Sequence, residues 1–198
     1  MIAPKTLLQL AGADLKPPPL SDACLVLIDF QHEYRAGPIA LPNADAAIAG
    51  AARLLARARS NGAAIFHVAH RGRPGGLFDR AAERGAIVAA LAPLDGEPVV
   101  EKELPNAFAG TDLQARLAAT GRKNIVLAGL MTHMCVSSSA RAALDLGFRV
   151  TIDAVSCATR DLPDGRGGTI AAATIHDVAL VELSDRFAII ARDPDALV

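Results

Sequence analysis

The feature that most constrains this chain is a series of short, uninterrupted apolar runs, each followed by a segment with helical spacing. The first run, at 24–30, reads CLVLIDF and has no polar face before its acid. Such a run is typical of a strand that is buried on both sides, as in a parallel sheet. The next segment begins at Asn43 or Asp45, repeats apolar residues every three or four positions and ends at residues 61–62, as a helix does.

The alternation of strand and helix continues along the chain. The pattern predicts six strands, at 24–30, 63–69, 99–102, 125–128, 148–153 and 187–190. Further helices are predicted at 81–91, 112–119, 135–146 and 169–183. Repeated βα units with short loops require a parallel sheet with right-handed crossovers and helices on both faces. We therefore predict an α/β fold whose ligands bind at the carboxyl ends of the strands.

The length of 198 residues and the 52% of hydrophobic residues indicate one domain with a substantial core. Segment 14–20 contains three consecutive prolines, which are too stiff and too poor in N–H donors for a regular element. We predict that residues 1–20 form an N-terminal arm and proline linker. Residues 21–198 then form the single domain.

The net charge of -1 gives no cationic excess for nucleic acid or an anionic membrane. We therefore expect a small-molecule substrate, with no nucleic acid and no membrane as partner. The three cysteines, Cys24, Cys135 and Cys157, form no CxxC pair and are odd in number. This pattern favours a reducing cytoplasmic location over a disulfide framework.

Three chemically active residues follow predicted strands. Asp29 closes the first strand, Lys102 closes the third, and Cys135 begins the helix after the strand that leads to Gly129. The carboxyl ends of parallel strands lie at one edge of a sheet, so the three side chains should meet there. An acid, a base and a thiol at that edge form a plausible nucleophilic site. Each residue alone has a common structural explanation, and their joint placement is the evidence.

The segment Gly129-Leu130-Met131-Thr132-His133-Met134-Cys135-Val136 resembles the nucleophile elbow of isochorismatase-like cysteine hydrolases. The resemblance covers nearly the whole chain, from about residue 24 to residue 190. It extends to the segments 27–31, 106–108 and 140–148 and to Lys102.

The resemblance implies a three-layer, doubly wound, Rossmann-like fold with a six-stranded parallel sheet, and a catalytic triad of Asp29, Lys102 and Cys135. It also implies a cis peptide between Leu130 and Met131, and an oxyanion hole formed by the backbone N–H groups of Met131 and Cys135. Members of such a family commonly form homo-oligomers, and we expect one here. The helix N-terminus and Lys102 should lower the pKa of Cys135.

This thiol favours a hydrolase that cleaves a C–N bond, of the amide type, in a small metabolite through a thioester intermediate. A vinyl-ether hydrolase of the isochorismatase type, with Asp29 as the acid, is the alternative. A second alternative is a non-catalytic protein that binds a small ligand.

We expect neither a cofactor nor a metal. His67 and His70 lie on or just after the second strand, but no acid accompanies them in sequence, and a metal needs a converging set of ligands. Structural histidines are the favoured interpretation.

Several residues near the predicted edge are candidates for substrate binding. A planar amide could stack on Phe108 while it hydrogen-bonds Gln31. Tyr34, Thr132 and His133 are further candidates, although Thr132 is better suited to supporting the elbow. The glycine-containing loop 71–76 could act as a lid, although a solvated loop is the simpler interpretation.

Overall fold

A computed structural model describes residues 3–193 and 195–198 of the chain. The strands of its main sheet are β1 (Ala23–Ile28), β2 (Ala64–His70), β3 (Val99–Lys102), β4 (Asn124–Leu130), β5 (Arg149–Ala158) and β8 (Ile189–Ala191). Two short strands, β6 (Leu162–Pro163) and β7 (Thr169–Ile170), form a separate antiparallel pair. The six main strands follow the order β3-β2-β1-β4-β5-β8 and are all parallel. The predicted six-stranded α/β fold is confirmed.

The helices are α1 (Leu7–Leu10), α2 (Ala44–Ser60), α3 (Leu113–Ala119), α4 (Ser137–Asp145) and α5 (Ala172–Arg186). They cover both faces of the sheet, as parallel strands require.

The central strands contribute side chains to two separate cores. Leu25 and Leu27 of β1 pack with the apolar face of α2, while Val26 and Ile28 pack on the opposite side with α3, α4 and α5. All four are at most 2% exposed. Burying each contributes about 1.5–3 kcal/mol, so the strand is fixed from both faces. This anchors the end of β1, where Asp29 follows.

The prediction of a helix at 81–91 is wrong. Only two short 3-10 turns occur there, Glu83–Gly85 and Ala89–Leu91. The backbone N–H of Val88 donates to Phe30 O at 3.0 Å, and Ile87 pairs antiparallel with Gln31. Because these groups pair with the segment after β1, they are not available to an α-helix.

Among the element boundaries, β5 and α5 show the largest differences from the prediction. Strand β5 was expected to end at residue 153 but extends to Ala158, with a register shift opposite Leu127 and Gly129 of β4. Residues 169–170 belong to β7, so α5 begins three residues later than predicted.

The predicted N-terminal arm contacts the rest of the chain, although its residues 1–2 lie outside the described part. The backbone N–H of Leu7 donates to Asp185 at 2.8 Å, and Arg149 donates to the carbonyl oxygens of Asp14 and Lys16. The predicted boundary at residue 20 between the N-terminal arm and the domain stays a prediction. None of the helices within residues 3–193 and 195–198 has both the length and the apolar character that a membrane crossing requires.

Candidate active site

The predicted site lies where the order of the sheet reverses. β1 and β4 are neighbours at its centre, and the chain moves outward from them in opposite directions. Ligands of open α/β sheets bind at this position, beyond the carboxyl ends of the strands. A Cβ at Gly129 would lie 2.6 Å from the carbonyl oxygen of Ile28, so only glycine allows β1 and β4 to approach this closely.

Asp29 leaves β1 in a left-handed backbone conformation, with φ 56°. Aspartate tolerates this region better than most residues with a side chain. Its N–H donates to Val68 O at 2.8 Å, and its own carbonyl accepts from the N–H of Gln31 at 2.8 Å. The turn therefore holds the carboxylate at the end of β1.

Lys102 brings the three predicted catalytic residues together. Its Nζ lies 2.6 Å from Oδ2 of Asp29 and donates to Sγ of Cys135 at 3.3 Å. Nζ also lies 3.2 Å from Nδ1 of His70. The side chains of Asp29 and Lys102 are both 0% exposed, so this ion pair is shielded from water.

Cys135 lies in a widened turn between β4 and α4. The peptide between Leu130 and Met131 is cis, and Thr132–Val136 forms a π-helical turn rather than the start of an α-helix. The carbonyl of Met131 accepts from the N–H groups of Met134 and Val136, at 3.0 and 3.3 Å. This turn presents the thiol towards Lys102. The oxyanion hole assigned to the N–H groups of Met131 and Cys135 stays a prediction.

The side chains of the turn are held by neighbouring elements. Oγ1 of Thr132 lies 2.9 Å from Nδ1 of His176 in α5, and Nδ1 of His133 lies 2.5 Å from Oγ1 of Thr159 after β5. Thr132 is 0% exposed, which fits support of the turn better than contact with a substrate.

The electrostatics of Cys135 differ from the prediction. Burial, together with the negative charge of Asp29, raises the pKa of the thiol to about 12, and the opposing effect of Lys102 is smaller. The predicted lowering is therefore wrong, because loss of solvation outweighs the nearby ammonium. Burial also raises the pKa of Asp29, against the opposing charge of Lys102. The resting site holds a thiol beside a carboxyl group of increased basicity.

The amide of Gln31, predicted to bind substrate, is bonded to backbone groups in the structure, and its role in substrate binding stays a prediction. Its amide nitrogen donates to the carbonyls of His70 and Gly85, at 2.9 and 2.8 Å, and its oxygen accepts from the N–H of His70 at 2.8 Å. The residue is 0% exposed, so its polar atoms join three backbone segments.

Phe108 and Tyr34 lie in different surroundings. The ring of Phe108 stacks on Phe148, with centroids 6.2 Å apart. Phe148 directly precedes β5, and both rings pack in the core on the α4 side of the sheet. The role of Phe108 as a pocket wall stays a prediction. Tyr34 is buried, and burial together with the charges of Asp29 and Cys135 raises its pKa well above the ordinary value. Its ring packs edge-to-face on Phe78, with centroids 5.2 Å apart, and Phe78 in turn contacts His70, so Tyr34 lies in the surroundings of the site.

Sequence reasoning placed neither His176 nor Arg160 at the site, and it interpreted His70 as a structural histidine. For His70 and His176 no local pattern reveals their partners, because the contacts join distant segments. Within residues 3–193 and 195–198, the buried Nε of Arg160 has no hydrogen-bond partner. The charge of Arg160 acts on both Tyr34 and His133. A positive charge therefore lies near two of the residues that were predicted to bind substrate.

The two histidines of β2 belong to different networks. Nε2 of His67 lies 3.2 Å from Glu97, which also accepts two bonds from Arg59 at 2.8 Å. The bonds from Arg59 are the main cause that lowers the pKa of Glu97 to about 2. In the described ranges, no group of three or more His, Cys, Asp or Glu side chains could hold a metal ion.

Comparison with known proteins adds independent findings. A family model described as the isochorismatase domain matches residues 23–193. The secreted isochorismatase effector Isc1 of Verticillium dahliae is 37% identical over 175 residues, which cover 88% of this chain and 90% of that protein. Maleamate amidohydrolase of Pseudomonas putida is 35% identical over 145 residues, covering 65% of this chain and 68% of that protein.

Solved structures match as well. The crystal structure of an isochorismatase from Pseudomonas putida KT2440 superimposes with a TM-score of 0.94 at 41% identity, covering 99% of this chain and 100% of that chain. Because one similar protein is described as secreted, the cytoplasmic location stays a prediction.

Proposed function

The chain belongs to the isochorismatase family of hydrolases, and we propose that within this family it cleaves a C–N bond of a small molecule by cysteine-dependent catalysis. The observation that carries the proposal is the contact of Cys135 Sγ with Lys102 Nζ at 3.3 Å, where Nζ also lies 2.6 Å from Asp29. The amide hydrolase named among the similar proteins lends further weight.

The raised pKa of Cys135 defines how the first step proceeds. Since the thiol is protonated at neutral pH, attack on the amide carbonyl requires transfer of its proton to Asp29 as the S–C bond forms. Lys102 stabilises the sulfur while negative charge develops on it, in a site where burial strengthens the interaction. The N–H groups of Met131 and Cys135 stabilise the oxyanion.

The remaining steps restore the resting protonation of the site: the thiol proton leaves with the amine, and a proton from water replaces it. Asp29 gives its proton to the leaving amine as the C–N bond breaks, which leaves a thioester on Cys135. Water then attacks the thioester carbonyl while Asp29 accepts a proton from it. Release of the carboxylic acid breaks the C–S bond, and Asp29 returns the proton to the sulfur.

The substrate class that we propose is an amide with an anionic group. Arg160 supplies a positive charge near Tyr34 and His133 and has an unsatisfied buried Nε. A carboxylate on the substrate would satisfy this guanidinium, because such pairs form strong charge-assisted hydrogen bonds. Arg160→Ala should then raise KM for amides that carry a carboxylate and leave neutral amides little changed.

Vinyl-ether cleavage is the second candidate. The raised pKa of Asp29 favours a carboxyl group that can hold and deliver a proton, as protonation of a vinyl ether requires. This chemistry does not need the thiol, so the two candidates differ in their dependence on Cys135.

Assays of a panel of small amides and of isochorismate test the proposal. We expect an amide to be hydrolysed, and Cys135→Ala to reduce the rate by at least about 1000-fold. Cys24→Ala is the matched control, because Cys24 is also buried but hydrogen-bonds Thr120 instead of Lys102. Turnover of isochorismate by Cys135→Ala at the wild-type rate, with no amide cleaved, would favour the vinyl-ether reaction instead.

A further inference from the structure

The ammonium of Lys102 has one neighbour that the proposed mechanism does not use. An ammonium has three N–H donors and no lone pair. Three groups lie within 3.3 Å of Nζ: Asp29, Cys135 and Nδ1 of His70. The first two take part in proton transfer and attack, whereas His70 has no assigned role.

We propose that His70 is a positioning residue that accepts a hydrogen bond from Lys102 and thereby holds the ammonium against Asp29 and Cys135; its effect on turnover rests on the proposed function. The 3.2 Å contact requires a lone pair on Nδ1, so the ring is neutral with its proton on Nε2. Burial lowers the pKa of His70, and the charge of Lys102 lowers it further, which keeps the ring neutral.

His70 is itself fixed from two directions. The amide of Gln31 binds both its N–H and its carbonyl, at 2.8 and 2.9 Å. The ring of Phe78 lies against the imidazole, with centroids 5.0 Å apart. A residue that holds another one in place must itself have few alternative conformations. The bonds to Gln31 restrict the backbone of His70, and the contact with Phe78 restricts its ring.

His70 also separates the ion pair from solvent. It lines an open cleft of about 690 Å³ together with charged residues that include Arg71, Arg80 and Glu103. Lys102 is absent from that lining and its side chain is 0% exposed. Removing the imidazole would therefore admit water to Nζ and weaken its interactions with Asp29 and Cys135.

The test compares three substitutions at this position. Asparagine places its Oδ1 near the position of Nδ1 and can accept from Lys102, whereas glutamine places its amide near Nε2 and alanine leaves no acceptor. With an amide substrate, we expect His70→Ala and His70→Gln to reduce kcat on the order of 10- to 100-fold with little change in KM. His70→Asn should recover most of the loss.

The matched control is His67→Asn, on the same strand but bonded to Glu97. It should lower the thermal unfolding temperature without reducing kcat. A wild-type kcat in folded His70→Ala would overturn the proposal, and so would equal losses in all three substitutions at position 70.

A second readout requires no substrate, so it separates this proposal from the proposed function. Nitrogen-15 NMR of histidine-labelled protein, with His70→Asn identifying the resonances, should show His70 neutral at pH 7, with the proton on Nε2. Lys102→Met should shift the Nδ1 resonance. A proton on Nδ1, or no shift in Lys102→Met, would refute the contact even if the wild-type protein hydrolysed no amide.

Discussion

Replacing Lys102 with methionine tests whether the buried ion pair organises the site. The aliphatic part of the side chain is retained, while the charge 2.6 Å from Asp29 is lost. Breaking a buried pair by removing one partner costs about 3–5 kcal/mol, because the other charge stays buried without compensation. For a chain of this size, that free energy corresponds to a decrease of roughly 6–20 °C in Tm.

The stability lost in Lys102→Met should depend on pH, because it depends on the ionisation of Asp29. In the folded protein the pKa of Asp29 is raised above 3.8, so the fold favours the protonated carboxyl group. The contribution of Asp29 to stability is therefore fully present below the pKa of the unfolded chain, and it is lost as the pH rises through the pKa of the folded protein. Without Lys102, whose charge opposes this shift, the folded pKa rises further. The variant should therefore lose more stability relative to wild type at pH 8 than at pH 5.

A double-mutant cycle isolates the pair. Asp29→Asn combined with Lys102→Met removes both charges, so the double variant should be less destabilised than the sum of the singles, by about 2–3 kcal/mol in chemical denaturation. Lys123→Met, at an exposed lysine, is the control and should change stability by less than about 0.5 kcal/mol. Additive losses in the cycle, or equal losses at pH 5 and pH 8, would refute the reasoning.

Three further perturbations address other parts of the account. Alkylation of Cys135 by iodoacetamide, followed by mass spectrometry, should be slow at pH 7 and still accelerating at pH 9, because its pKa is raised to about 12; a midpoint below pH 7 would contradict this. Gln31→Ala should lower the unfolding free energy by about 1–3 kcal/mol, because it leaves the N–H of the half-buried His70 without the partner it has now; an effect on KM alone would point to substrate binding instead. Gly129→Ala should cost about 1–3 kcal/mol in chemical denaturation, since its Cβ would lie 2.6 Å from Ile28 O; unchanged stability would show that β1 and β4 can separate.

The six-stranded parallel sheet and the meeting of the three active residues could be anticipated because they depend on local patterns. An apolar run such as 24–30 predicts a buried strand, and parallel strands bring their carboxyl ends to one edge. This logic is sufficient to place Asp29, Lys102 and Cys135 together.

Sequence patterns were insufficient where long-range contacts override local preference. Residues 81–91 have helical spacing, but Ile87 and Val88 pair with the segment after β1. Gln31 has the chemistry to bind a substrate, yet its amide joins His70 and Gly85. Neither partner is indicated by nearby sequence.

The direction in which the pKa of Cys135 is shifted could not be predicted from the sequence. A helix N-terminus and a lysine are visible in sequence and both favour a thiolate. The degree of burial is not visible, and here it determines the direction of the shift.

The most direct test of the central claim is detection of an acyl group on Cys135 during turnover. With an amide that the protein hydrolyses, rapid acid quenching and peptide mass spectrometry should show an adduct of the acyl mass on the peptide that contains Cys135, and hydroxylamine should remove it. An adduct on another residue, or undiminished hydrolysis of the same amide by Cys135→Ala, would contradict the account.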